Sequence, residues 1–492
     1  MTFIPKGLNK LESGLRPLIS CDASTVMSQV VRMMQENAIG CMLVRDSANH
    51  PVGIYSERDL LSDMANGLYS GDLPVSKLMR GPVITAPRGA TELDAMLLMI
   101  RHNIRHVVLT EHGVAAAVIS ERELFQKYPG SLGDLILGLG GAIAFEDIQQ
   151  ISNQVRKLAC DLVAVDLCPL VVGQLISEFN DRLASRILDI EWRTHGLDQE
   201  DGLSVCWLVL GSEARKEQPL NTDQDNALIF RVNSSKSEIN IRTRLLAFSQ
   251  NVNRRLDLCG LELCGGKVMA GNPDWCHSFD DWIKKIKSWN ANPQPESILA
   301  ATIFFDFRGV WGDLELEHGL RSWLVDFFRG RHRLIRGMAA SVLGTPSPIG
   351  LFSRFRLGSA GAEPDAIDLK SQGSRIFVDA ARVESLMLGL NHVSTETRLR
   401  QAGHVLNIPT DEVDAMVASF VFILRLRLRL HLRGLESPTA RLTTGEGLSL
   451  PKNLSANNLK PSELNKLEQE TLREAFKQSR LLQKRLAMSL GI

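Results

Sequence analysis

The chain has 492 residues, 44% hydrophobic and 23% charged, and its 56 basic and 56 acidic side chains cancel to a formal net charge of zero. That size and balance describe roughly two to four globular domains with sizeable cores and argue against a general nucleic-acid or membrane-surface binder. No apolar run approaches bilayer-spanning length, the opening Met-Thr-Phe-Ile-Pro-Lys lacks a signal-peptide layout, and the eight cysteines (21, 41, 160, 168, 206, 259, 264, 276) show no Cys-x-x-Cys or zinc-like spacing. The expectation is a soluble, cytoplasmic, multidomain protein with reduced thiols, bound to neither nucleic acid nor membrane.

The first third repeats itself. Ile39-Gly40-Cys41-Met42-Leu43-Val44 returns in character as Ile104-Arg105-His106-Val107-Val108-Leu109, and Gly53-Ile54-Tyr55-Ser56-Glu57-Arg58-Asp59 returns as Ala117-Val118-Ile119-Ser120-Glu121-Arg122-Glu123, both at an offset of about 65 residues. A constant offset between separate matches marks a duplicated unit. Each copy reads as helix (26–35; 93–101), strand, strand, helix, and Ser56/Asp59 and Ser120/Glu123 have the spacing of capping boxes. The pattern resembles a tandem pair of CBS domains over residues 1–135. The resemblance implies a cleft for AMP or ATP contacted by Ser56, Asp59, Ser120 and Glu123, and a homodimer. Glu123 is longer than the aspartate usual in that motif.

A glycine-rich stretch over 131–144 reads as the linker out of the pair, and 145–193 has helical periodicity. An apolar run (205–210) then meets Gly211-Ser212-Glu213-Ala214-Arg215-Lys216-Glu217-Gln218, followed by Thr222-Asp223-Gln224-Asp225-Asn226 and a second apolar run. On extended backbone, residues i and i+2 share a face, so Asp223 and Asp225 converge as ligands for a divalent cation beside a glycine turn. Two such ions about 3.5–4 Å apart serve phosphoryl and nucleotidyl chemistry. Gly211 lets backbone approach phosphates, Ser212 donates a hydrogen bond, Arg215 and Lys216 offer charge, and Glu217 orients a cation. Arg215 and Glu217 read equally as a structural ion pair.

These motifs, with Cys264-Gly265-Gly266-Lys267, Phe304-Phe305-Asp306-Phe307-Arg308 and Asp379-Ala380-Ala381-Arg382, resemble the CBS-linked nucleotidyltransferases of the polymerase-β-like superfamily, kin to PII uridylyltransferase and glutamine-synthetase adenylyltransferase. Ala214 stands where relatives usually carry glycine. The resemblance implies an α+β multidomain chain: the CBS pair, a transferase core with a mixed sheet and leading helices over 140–345, and a helical substrate-binding domain over 346–492. It implies Mg2+ or Mn2+ at Asp223 and Asp225, a nucleoside triphosphate donor of AMP or UMP, and a protein or small-molecule acceptor. A third carboxylate is expected from Glu262, Glu296 or Asp306, the last read as buried helix and paired with Arg308 or a neighbouring helix. Lys267, Asp368 and Lys370 are candidate substrate contacts. Long helices are expected over 376–390, 415–433 and 462–488, the second despite the period-two run from Leu424 to Arg433. The alternative is a catalytically weak nucleotide-sensing scaffold in signal transduction.

Overall fold

The computed structural model describes residues 11, 18–102, 104–125, 138, 144–164, 166–220, 223–232, 238–329, 333–350, 354–356, 365–436 and 457–491. The expected linker over 131–144 and a loop over 438–451 lie almost wholly outside the described residues. The chain divides into two compact units, one of Met1–Gly141 with Asp166–Val171, the other of Ala142–Val165 and Val172–Ile492.

In the first unit the duplication becomes topology. β1 (Ser20–Asp22), α1 (Met27–Glu36), β2 (Cys41–Arg45), β3 (Pro51–Ser56) and α2 (Glu57–Ala65) are matched by β4 (Thr85–Pro87), α3 (Glu92–His102), β5 (His106–Glu111), β6 (Val114–Ser120) and α4 (Glu121–Phe125). Each copy folds into a three-stranded sheet whose first strand runs parallel to the second and whose second pairs antiparallel with the third. The short leading strands β1 and β4 were absent from the helix-strand-strand-helix expectation, because three residues carry too little periodicity to read. The alternating faces of β2 and β3 bury Met42, Val44 and Tyr55 against Met27, Val30 and Met34 of α1.

The second unit holds α5 (Phe145–Ala164) and all but the first three residues of α6 (Pro169–Thr194), followed by β7 (Leu203–Leu210), the one-turn α7 (Gly211–Ala214), β8 (Asn226–Val232), α8 (Glu238–Leu258), β9 (Cys276–Ser278), α9 (Phe279–Ala291), α10 (Pro295–Phe304) and β10 (Phe307–Gly312). The sheet order is β10-β7-β8-β9, antiparallel except for β8-β9, so the sheet is mixed as expected. β7 and β8 are apolar on both faces and almost fully buried, with helices supplying the cover. Trp282 of α9 stacks on Phe304 of α10 with ring centroids 4.1 Å apart, and its indole N–H donates to the Leu228 carbonyl (3.1 Å), anchoring α9 to the sheet.

The chain continues through α11 (Leu314–Phe328), α12 (Arg333–Leu343), a π-helical turn (Leu369–Ser374) after β11 (Ile367–Asp368), α13 (Arg375–Leu388), α14 (Thr395–Val405) and α15 (Thr410–Glu436). β12 (Asn458–Leu459) pairs with β11, and α16 (Lys466–Leu490) follows. The period-two run is helical, as expected. Helical geometry separates residues i and i+2 by about 200°, so the arginines do not share one face. Arg427 is buried and donates to Asn457 and Ser374, while Arg429 and Arg433 pair outward with Glu468 and Glu463. Among the described residues no helix is long and apolar enough to cross a membrane.

Candidate active site

β7 delivers the chain to Gly211, whose turn hangs between two other segments: Leu210 N–H donates to the Asp225 carbonyl (2.8 Å) and Gly211 N–H to the Asp306 carbonyl (3.0 Å). Gly211 has φ +58°, and a Cβ there would stand 3.2 Å from Asp225 Oδ2. Glycine is required twice, for the left-handed backbone and for the approach of a carboxylate.

Asp223 and Asp225 lie on the extended approach to β8 rather than within it. Asp223 bridges in parallel with Glu262, Gln224 N–H donates to the Glu262 carbonyl (2.8 Å) and Asn226 N–H to the Val268 carbonyl (3.1 Å). The alternation works in both directions. Gln224 and Asn226 turn inward, where Asn253 of α8 donates to Gln224 Oε1 (2.9 Å) and Asn226 Oδ1 (3.0 Å). Gln224 Nε2 donates in turn to the carbonyls of Asn253 and Leu261, and Ala270 N–H reaches Asn226 Oδ1. This closed amide network fixes the segment from below, and it was not read from the sequence.

Facing outward, one donor atom each from Asp223, Asp225 and Cys264 lies within 4.8 Å of the others. Burial pushes the Asp225 carboxyl up to about 6; the Asp223 charge adds to this, and a Cys264 hydrogen bond with the charges of Lys370 and Arg215 opposes it. Burial likewise raises the Cys264 thiol to about 11. Among the described residues neither aspartate has an ion-pair partner. Two converging carboxylates with uncompensated charge fit a divalent cation.

The candidate third carboxylates fare differently. Asp306 lies at the junction of α10 and β10, not inside a helix, and is fully buried. Its oxygens accept from Arg215 (2.6 Å), Arg382 (2.9 and 2.6 Å) and Arg398 (2.6 Å). Burial alone would raise its carboxyl, but Arg382, Arg398 and Arg215 hold it well below the usual range. Arg308 is not its partner: it forks onto Asp181 of α6 (2.7 and 3.0 Å) and caps the Glu213 and Ala214 carbonyls. Glu262 is in backbone register with Asp223, yet its carboxylate is outside the convergent set, and Glu296 sits exposed in the first turn of α10.

Arg215 and Lys216, expected at the triphosphate, have their charges already compensated. Arg215 Nε donates to Glu217 (2.8 Å), forming the ion pair read from the sequence, and Glu217 also accepts from Thr395 N–H (2.6 Å) and Oγ1 (2.9 Å). Lys216, left-handed at φ +57°, binds Glu178 (2.8 Å). Ser212 is partly exposed beside them. Lys267 is exposed and closes the Cys264 turn, its N–H donating to the Cys264 carbonyl (2.9 Å). Asp368 caps the π-helical turn through Lys370 N–H, Ser371 N–H and Ser371 Oγ, and the charge of the exposed Lys370, like that of Arg215, reaches Asp225.

In the first unit both capping boxes form. Ser56 Oγ donates to Asp59 (2.5 Å) and Ser120 Oγ to Glu123 (2.7 Å), so the longer acid preserves the geometry. Burial lowers His106 to about 4, opposed by the charges of Glu123 and Asp59; both acids also act on Cys41, at the equivalent position of β2. Arg80 pairs with Asp59 (3.1 Å) and Asp63 (2.8 Å).

Fold and site together are those of a multidomain α+β protein with a duplicated N-terminal unit and a nucleotidyltransferase-like core. Comparison with known families agrees. The CBS domain model matches residues 15–66 and 75–130, the model described as "Putative nucleotidyltransferase DUF294" matches 153–296, and "Putative nucleotidyltransferase substrate binding domain" matches 332–490. The chain belongs with the CBS-linked nucleotidyltransferases of that family. Curated relatives include an uncharacterized 17.7 kDa protein of Acidianus ambivalens, 28% identical over 102 residues (20% of this chain, 61% of that protein). Another, from Methanocaldococcus jannaschii, is 26% identical over 163 residues (29% of this chain, 38% of that protein). The chain thus spans less than two thirds of the length of these relatives. Similar solved structures include a CBS-domain protein from Agrobacterium tumefaciens (25% identity, 23% of this chain and 84% of that one, TM-score 0.22). A CBS domain protein from Pyrobaculum aerophilum complexed with AMP has 33% identity, covering 22% of this chain and 85% of that one, with TM-score 0.21.

Proposed function

We propose that the protein is a metal-dependent nucleotidyltransferase that moves AMP or UMP from a nucleoside triphosphate to a protein or small-molecule acceptor, regulated by adenine nucleotide at the CBS pair. The observation that carries this reading is the pair Asp223 and Asp225, turned to one face by extended backbone and held there by Gln224, Asn226 and Asn253. Asp223 and Asp225 would hold Mg2+ or Mn2+, which when bound polarises the α-phosphate and activates the incoming oxygen. Gly211 opens the turn to the phosphates, Ser212 donates to a phosphate oxygen, and Lys370 and Lys267 supply exposed positive charge. Arg215, Lys216 and Glu217 hold the loop in shape through their ion pairs. The two capping boxes, Ser56 with Asp59 and Ser120 with Glu123, support adenine-nucleotide binding in the first unit. The eight cysteines form no disulfide, in keeping with work in the reducing cytoplasm.

A second reading, the nucleotide-sensing scaffold, is favoured by one fact: Asp306 is consumed by three arginines and brings no third carboxylate to the pair. Pyrophosphate release from each of the four ribonucleoside triphosphates separates the two. Wild type is expected to release it with one preferred triphosphate, and Asp223→Ala/Asp225→Ala to release none. Saturable nucleotide binding by wild type without release would establish the scaffold instead.

A further inference from the structure

We infer that Cys264 supplies a third, sulfur ligand to the cation held by Asp223 and Asp225, so that this centre takes a divalent ion of borderline softness, of the Zn2+ or Co2+ kind, in preference to Mg2+. The inference rests on the reading of Asp223 and Asp225 as cation ligands and replaces the Mg2+ or Mn2+ proposed there by a softer ion.

Distance comes first. Donors around one ion lie no further apart than about twice a metal–ligand bond, about 4.6 Å for a thiolate at about 2.3 Å. The three donor atoms already lie within 4.8 Å of one another, so a small side-chain adjustment closes the set. The sulfur is also fixed in register with the carboxylates. Gln224 N–H bonds the Glu262 carbonyl on one side of the Cys264 turn, and Asn226 N–H bonds the Val268 carbonyl on the other. The turn itself is closed by Lys267 N–H on the Cys264 carbonyl. Backbone from 262 to 268 is therefore stitched at both ends to the segment that carries Asp225.

Cys264 hydrogen-bonds the Asp225 carboxyl, which keeps the sulfur aimed at the pair, and the other ordinary uses of a buried thiol fit poorly. A buried cysteine is ordinarily a small apolar filler, as Cys206 and Cys276 are on their strands. Cys264 is 9% exposed but turned to two carboxylates that lack an ion-pair partner among the described residues. It forms no disulfide. The oxygen ligand that would otherwise complete an all-carboxylate site, Asp306, is occupied by arginines. A set of two hard oxygens and one soft sulfur shifts preference from Mg2+ towards ions that accept thiolate. Binding forms a metal–sulfur bond, breaks the S–H bond and passes that proton to solvent.

The test is anaerobic Co2+ titration of the full chain, read by absorption and calorimetry, beside Cys264→Ser, Cys264→Asp and Asp225→Asn. Wild type is expected to show a thiolate-to-cobalt charge-transfer band and to release about one proton more than Cys264→Ser. Cys264→Ser should lose the band and about tenfold or more in Co2+ affinity, with Mg2+ affinity little changed. Cys264→Asp should lose the band and bind Mg2+ more tightly, which keeps the test decisive if the serine variant misfolds. Identical bands and affinities in wild type and Cys264→Ser overturn the sulfur ligand. If Asp225→Asn weakens both ions while Cys264→Ser weakens neither, only this inference fails. If Asp225→Asn also binds both as wild type does, the metal reading of the paired aspartates fails with it.

Discussion

Asp225 and Asp306 sit on either side of the same turn, since Leu210 N–H bonds one residue's carbonyl and Gly211 N–H the other's, yet their carboxylates live under opposite rules. Around Asp306 the protein gathers Arg215, Arg382 and Arg398, and balances the surplus with Glu217 and Asp379. Three guanidiniums against three carboxylates, with the more exposed Arg375 attached to Asp379 at the edge, make a charge-compensated knot that joins the transferase turn to α13 and α14 within one compact unit. Around Asp225 nothing is balanced: Asp223 stands beside it and the nearest cationic influences, Lys370 and Arg215, act without an ion pair. Compensated charge builds framework; uncompensated charge is what a cation or a nucleotide completes.

The comparison can be broken most severely at the knot. Asp306→Asn leaves buried arginines facing only Glu217 and Asp379, and removal of one partner from a buried pair costs about 3–5 kcal/mol. Denaturant melts should show a loss of that size; a loss below about 1 kcal/mol would mean that the arginines relax to solvent and the knot is not framework.

A third carboxylate sharpens the scale. Glu384 of α13 is 3% exposed, and its Oε1 has no hydrogen-bond partner among the described residues. Burial pushes it up to about 7 from 4.5, with Arg485 only partly opposing. A raised folded-state value means that its stabilising contribution is complete below about 4.5 and is lost as pH rises through about 7. Glu384→Gln should flatten that loss and, above pH 7, make the protein about 3 kcal/mol more stable than wild type in melts across the range. A parallel pH profile in the two proteins would show that Glu384 finds compensation which its position does not suggest.

The smallest expected effect is at the hinge between the two regions. Gly211→Ala places a Cβ 3.2 Å from Asp225 Oδ2 on left-handed backbone and should cost about 1–2 kcal/mol in thermal unfolding. Cation affinity should fall with it, because the intrusion falls on Asp225 and spares Asp306. Loss of stability without loss of affinity would separate the turn from the metal face.

Much of the candidate site was legible because its residues are close in sequence. Gly211-Ser212 and Asp223-x-Asp225 follow local rules, a left-handed turn and a two-residue alternation, and both rules hold in the folded chain. The duplicated boxes Ser56/Asp59 and Ser120/Glu123 are local as well, and helical flanks together with the family resemblance overruled the period-two run of α15. What stayed hidden depends on distant partners. Gln224 and Asn226 read as spacers until Asn253 of α8 meets them, and Cys264 reads as part of a glycine turn until that turn is stitched beside Asp225.

By itself, then, the sequence determined the order of the domains, the turn and the face on which the paired aspartates lie, since each follows from chain geometry over a few residues. Which charges are spent and which remain was decided only by tertiary structure. Arg215, Lys216 and Asp306 look like catalytic groups along the chain. They become framework because Glu217, Glu178, Arg382 and Arg398, brought from up to 92 residues away, neutralise them in a buried setting where an unpaired charge would be prohibitive.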